Sequence, residues 1–179
     1  MSNPSVAPQR AALHRRVAAC GAALAVALLI SACAMPTHPD SEAPPSDPFN
    51  PAATQLLDDT SWVLASWQDA NGQARTVPAA DAQGALTLAL STATGERRAS
   101  GYAGCNRFGG AYQLKSGKLS MGPLMATRMA CTGTRNELER AYLDALAHIG
   151  KVGVQMREPQ QLDIVTSDGA TLHFARATQ

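Results

Sequence analysis

The chain has 179 residues with 15 basic and 14 acidic side chains, a length suited to one globular domain plus short appendages. A nearly neutral chain without a basic block has little counterion-release affinity for nucleic acid, which removes that partner class.

Taken from its start, the chain opens on a basic stretch (Arg10, His14, Arg15, Arg16) followed by an apolar run from Val17 to Ala32. A positive segment, a short apolar segment and small residues at its end are the layout of a secretory signal peptide, predicted over residues 1–32. The apolar run is 16 residues long, short of the roughly 20 that span a bilayer. Prolines follow it at once instead of the charges of an uncleaved anchor. Arg15-Arg16 lacks the flanking pattern of a twin-arginine signal. The run closes on Leu29-Ile30-Ser31-Ala32-Cys33, which resembles a bacterial lipobox, so Cys33 is expected to carry lipid after cleavage. Ala34, rather than Asp, follows the cysteine and points to the outer membrane. Loss of the leader removes three arginines and no acid, leaving 12 basic against 14 acidic residues, or −2.

Residues 33–54 hold Pro36, Pro39, Pro44, Pro45, Pro48 and Pro51 and no apolar period. A proline-rich segment of this kind cannot bury a core and is expected to be a tether. The domain proper is then predicted over residues 55–177. Cys20 leaves with the leader and Cys33 takes lipid, so Cys105 and Cys131 remain. Two cysteines in an oxidising compartment point to one disulfide, against the alternative of two buried thiols.

Inside the domain the dominant period is two. Leu86, Leu88 and Leu90 alternate with smaller or polar residues, as do Leu162 with Ile164 and Leu172 with Phe174. Asn71-Gly72, Ser116-Gly117 and Asp168-Gly169 supply turn signals. Trp62-Val63-Leu64-Ala65 is apolar at successive positions and predicts a strand buried on both faces. Arg97-Arg98 reads as a solvated strand face. Only one segment changes period: Leu138, Ala141, Tyr142, Ala145, Leu146 and Ile149 form one helical stripe. Thr134 with Glu137 predicts a capping box, Gly150 a stop, and His148 a cation in the last turn. Together these elements predict an α+β domain: a strongly curved antiparallel sheet or partly open β-barrel with one amphipathic helix packed on it.

Motifs for chemistry are missing. The glycine-rich run Gly101 to Tyr112 lacks the Gly-Lys-Ser/Thr ending of a phosphate loop and opens no helix. Its glycines fit turns and close backbone approach better. Cys105, Cys131, His148 and His173 have no metal-ligand spacing, and no serine elbow is present. The chain is therefore expected to have no catalytic residues, cofactor or metal.

Trp62-Val63-Leu64, Gly104-Cys105-Asn106-Arg107 with Gly110 and Tyr112, and Thr127-Arg128-Met129-Ala130-Cys131 together resemble the META domain. Glu139, Tyr142, Leu146, Leu162, Asp168-Gly169 and Leu172 to Phe174 extend the likeness. The resemblance, which is to the HslJ-like group of bacterial envelope lipoproteins, implies a bent antiparallel sheet with one helix and no known catalytic residues. It implies an envelope role in heat stress or antibiotic tolerance, without a settled molecular activity. The lipobox, the tether and the missing catalytic constellation point to a non-enzymatic, membrane-anchored monomer that binds an envelope protein or lipid. Asn106, Arg107, Thr127 and Arg128 are the motif residues that could serve recognition or could brace the loop. The alternative is a barrel-like binding protein, or an enzyme, acting on a small apolar ligand.

Overall fold

The computed structural model describes residues 47–177, apart from residues 81, 83 and 132. The leader, Cys33 and residues 34–46 lie outside the described residues. Among the described residues no helix is long and apolar enough to cross a membrane.

The strands are β1 Thr60–Gln68, β2 Thr87–Ser91, β3 Arg98–Tyr102, β4 Arg107–Lys115, β5 Lys118–Met121, β6 Met125–Ala126, β7 Ile149–Gln155, β8 Gln161–Thr166 and β9 Thr171–Arg176. A 3-10 helix, Pro51–Leu57, precedes them, and the helix α1, Thr134–Ala147, lies between β6 and β7. The sheet runs β5-β4-β3-β2-β1-β9-β8-β7, with the short β6 added beside β4. All pairings are antiparallel. Two meanders are joined by β1, which pairs with β2 on one side and with β9 on the other. The path curls until β5 and β7 meet without a ladder between them, and the 3-10 helix touches both. The result is the expected α+β architecture, a partly open barrel with one helix packed on it.

Period two places the core. Leu86, Leu88, Leu90, Leu162, Ile164, Leu172 and Phe174 are all buried. Each buried side chain of this size stabilises the fold by about 1.5–3 kcal/mol. The interior of the barrel is filled by Trp62, Tyr112, Tyr142 and Phe174 among leucines.

Strand β1 departs from the sequence reading. Trp62 and Leu64 are buried, while Val63 is half-buried and Ala65 exposed. The register against β9 shifts between Leu64 and Ser66. One extra residue in the strand reverses the phase, so Trp67 rather than Ser66 points inward. The apolar run is thus an alternating strand with a bulge and is not buried on both faces.

Two of the three turn signals close hairpins. Ser116 (φ 52°) and Gly117 (φ 73°) join β4 to β5, and Gly169 (φ 99°) lies between β8 and β9. Asn71-Gly72 behaves differently. The Asp69 carboxylate accepts the Asn71 and Gln73 N–H groups at 2.9 Å each, and only Gln68 bridges back to Ala74. That is a side-chain-closed turn at the end of β1, with no second strand to pair.

Helix α1 buries Tyr142, Ala145 and Leu146 and half-buries Leu138 and Ala141. Its ends differ from expectation. Gly133 is the N-cap, and no side chain caps the first turn, so the Thr134–Glu137 box does not form. The helix ends at Ala147, and Ile149 and Gly150 already belong to β7, where Ile149 pairs with Thr166. Ladder bonds to β8 take the residues that would have continued the helix. His148 occupies the helix C-terminus as expected, with Nδ1 2.9 Å from the Asp144 carbonyl.

Residues 48–54, read from composition as the end of the tether, pack on the domain. Thr54 and Leu57 are fully buried, and Val154 N–H donates to the Pro48 carbonyl at 2.6 Å.

Candidate functional site

The β3–β4 turn, Ala103-Gly104-Cys105-Asn106, is closed by Ala103 N–H donating to the Asn106 carbonyl at 2.9 Å. Gly104 adopts φ 95°, a left-handed conformation that costs glycine little. A Cβ on Gly101 would lie 2.0 Å from the Thr87 carbonyl. The glycine-rich run therefore builds a turn and a close strand approach.

Asn106 is 4% exposed and organises the site. Its Oδ1 accepts the Thr127 hydroxyl at 2.9 Å and the Met129 N–H at 2.8 Å. Its Nδ2 donates to Glu139 Oε1 at 3.2 Å and to the Met129 carbonyl at 3.4 Å. Its backbone N–H donates to Glu139 Oε2 at 2.8 Å. One residue thus ties the turn to the loop after β6 and to α1. Beside it Cys105 and Cys131 are joined as a disulfide, with Cα atoms 6.2 Å apart. Thr127 completes the clamp: its N–H donates to the Arg107 carbonyl at 2.9 Å, and its hydroxyl accepts the Arg107 N–H at 3.2 Å.

The four motif residues therefore divide. Asn106 and Thr127 brace the loop through their side chains. Arg107 and Arg128 are exposed and have no ion pair among the described residues. Met129 (63% exposed) and Met125 (75% exposed) lie on the same loop and on β6. Glu139, which appeared in the sequence only as a motif position, holds the helix to the turn. A glutamate on the flank of an apolar helical stripe was the one signal for it. Cys105, Cys131 and Glu139 bring ligand-type atoms within 4.8 Å of one another. Metal binding needs thiolates, and sulfurs bonded to each other offer none, so this set does not fit a metal.

Two further polar groupings lie elsewhere. Arg97 forms an ion pair with Asp58 at 2.7 Å, and the Tyr112 hydroxyl donates to Asp58 at 2.6 Å. Arg97 is therefore not simply a solvated strand residue. The Asp58 carboxyl is held below its ordinary value chiefly by the Arg97 hydrogen bonds, with burial opposing and Tyr112 assisting. Burial, with the Asp58 contact added, pushes the Tyr112 phenol up. At the helix C-terminus an open cleft of about 400 Å³ is lined by Trp67, Arg75, Asp144, His148, Thr166 and Asp168 among others. The Arg75 guanidinium lies 4.6 Å from the Trp67 ring centre there. The Thr166 hydroxyl, with the Ala170 N–H, lowers the Asp168 carboxyl.

A family model described as META domain matches residues 55–179, the stretch that holds the clamp and the whole sheet. The chain belongs to the META domain family. Its META domain is similar to a protein from Burkholderia xenovorans whose structure was solved by NMR. That protein is 60% identical over 81% of this chain and 100% of its own, with a TM-score of 0.69. A second NMR structure is 26% identical over 70% of this chain and 93% of its own, with a TM-score of 0.46. No curated protein matches the chain. In the META domain as folded here, the two family segments, Gly104 to Arg107 and Thr127 to Cys131, are the two sides of the clamp.

Proposed function

We propose that this META-domain protein is a cell-envelope lipoprotein, anchored through Cys33 and working in the periplasm as a non-enzymatic, HslJ-like binding module. The observation that carries the reading is Leu29-Ile30-Ser31-Ala32-Cys33 at the end of a basic-then-apolar leader. The Cys105–Cys131 disulfide supports it, because such bonds persist in oxidising compartments. Two acyl chains suffice for stable anchoring. Sorting to the outer membrane follows from Ala34 after the lipidated cysteine. The partner is an envelope protein or lipid bound by a monomer, and the role is in heat stress or antibiotic tolerance. A small apolar ligand held inside the barrel is the weaker reading, because large side chains occupy that interior among the described residues.

Cys33→Ser tests the anchor. The expected outcome is loss of palmitate labelling and either an uncleaved precursor or release from the washed envelope fraction. A variant that is processed and fractionates like wild type would overturn the proposal.

A further inference from the structure

The chain has three lysines, Lys115, Lys118 and Lys151, and the fold gathers all of them around the point where the N-terminal segment enters the domain. Lys115 and Lys118 are cross-strand partners in the β4–β5 hairpin. Gly117 between them lies against Pro51, so closely that a Cβ on Gly117 would come within 2.2 Å of the Pro51 Cβ. Lys151, from the far end of the sheet path, places Nζ 4.5 Å from the centre of the Phe49 ring. That ring occupies the room left by Gly153, where a Cβ would meet it at 3.1 Å. The segment from Pro48 to Leu57 thus lies along the β5–β7 seam and draws both lysine groups together. All three lysines are exposed and none has a carboxylate at ion-pair distance among the described residues. Of the acids flanking that segment, Asp58 is paired with Arg97, while Asp59 and Asp47 accept from uncharged donors, Thr92 N–H and Phe49 N–H. Leu56, 52% exposed, adds an apolar side chain on the 3-10 helix.

We propose that this seam face is a docking surface for the anionic headgroups of the membrane in which the protein is anchored. The inference rests on the lipoprotein reading above and names one surface and one partner for it. From Cys33 to Asp47 the chain can reach no more than about 50 Å, and the seam is where it joins the domain. Of the domain's surface, this face is covalently nearest to the anchor. Only charges within about 8 Å of the membrane escape screening at physiological salt. Three ammonium groups without a carboxylate at ion-pair distance among the described residues complement a negatively charged lipid surface. Each lysine near such a surface raises partitioning about five-fold.

Amine acylation reads this face alone, because no other side chain of the protein carries a primary amine. The lipidated protein, purified in detergent, is reconstituted into vesicles of phosphatidylcholine alone or with a third phosphatidylglycerol. Flotation scores the anchor and mass spectrometry scores acylation of each lysine. The expected result is flotation with both vesicles and at least a three-fold fall in labelling on anionic vesicles. That protection should disappear in 1 M salt, where screening acts within about 3 Å. Flotation with both vesicles but equal labelling would overturn the docking face and leave the anchor standing. Failure to float with neutral vesicles would overturn the anchored reading, and the docking face with it.

Discussion

Asn106 engages both ends of its amide: the oxygen accepts twice, and the nitrogen donates to Glu139 and Met129. A buried amide so placed is expensive to disturb, because its partners would be left without bonds away from water. Asp58 makes a comparable junction nearer the surface, joining Arg97 and Tyr112. Its folded carboxyl titrates below its ordinary 3.8, so the ionised form stabilises the fold above that pH. The contribution is lost as pH falls through the lowered value. Asp58→Asn should cost about 1 kcal/mol at neutral pH, discounted for partial exposure. Urea unfolding at pH 7 and at pH 3 checks this, with the gap between variant and wild type narrowing at the lower pH. Parallel profiles would remove Asp58 from the acid sensitivity of the fold.

At the scale of elements, α1 holds the barrel through Tyr142. Its ring meets Trp67 and Phe108 edge-on, at centroid distances of 6.3 and 6.0 Å, and lies tilted against Phe174 at 6.4 Å. Burial pushes its phenol up, and the hydroxyl donates to the Thr87 carbonyl at 3.2 Å. Tyr142→Ala should destabilise by about 3–5 kcal/mol through the cavity it leaves, whereas Tyr142→Phe should cost about 1 kcal/mol for one hydrogen bond. Denaturant midpoints of the two variants separate packing from bonding, and equal losses would show that the hydroxyl carries the contribution. The helical stripe made this residue legible as core. The local stop signal, Gly150, lies beyond the observed end at Ala147, because β8 competes for Ile149 from outside the segment.

Across the whole molecule, the disulfide spans 26 residues between the β3–β4 turn and the segment leading into α1. Closing a loop of that size constrains the unfolded chain by about 3–4 kcal/mol in the chain-entropy model. Intact mass should show two alkylated thiols only after reduction, and the reduced protein should unfold at lower denaturant. Alkylation of the native protein without reductant would contradict the pairing. Asn106, Thr127 and Glu139 hold the same two segments, so the reduced domain should weaken at this corner first.

The order of residues was sufficient for the alternating strands, the α-helix and the two clamp segments. All of these are local patterns, written by side-chain period, turn chemistry or motif. What required the tertiary structure depends on partners distant in sequence. The bulge in β1 appears only against β9, Asp58 finds Arg97 and Tyr112 only across strands, and Glu139 reaches Asn106 only after α1 docks. Composition ended the tether at residue 54, yet Pro48 to Ala53 lie along the β5–β7 seam, where glycines make room for a ring and a proline. Three lysines separated in sequence become one face for the same reason: a sheet that curls brings its two ends together, and no local pattern encodes that closure.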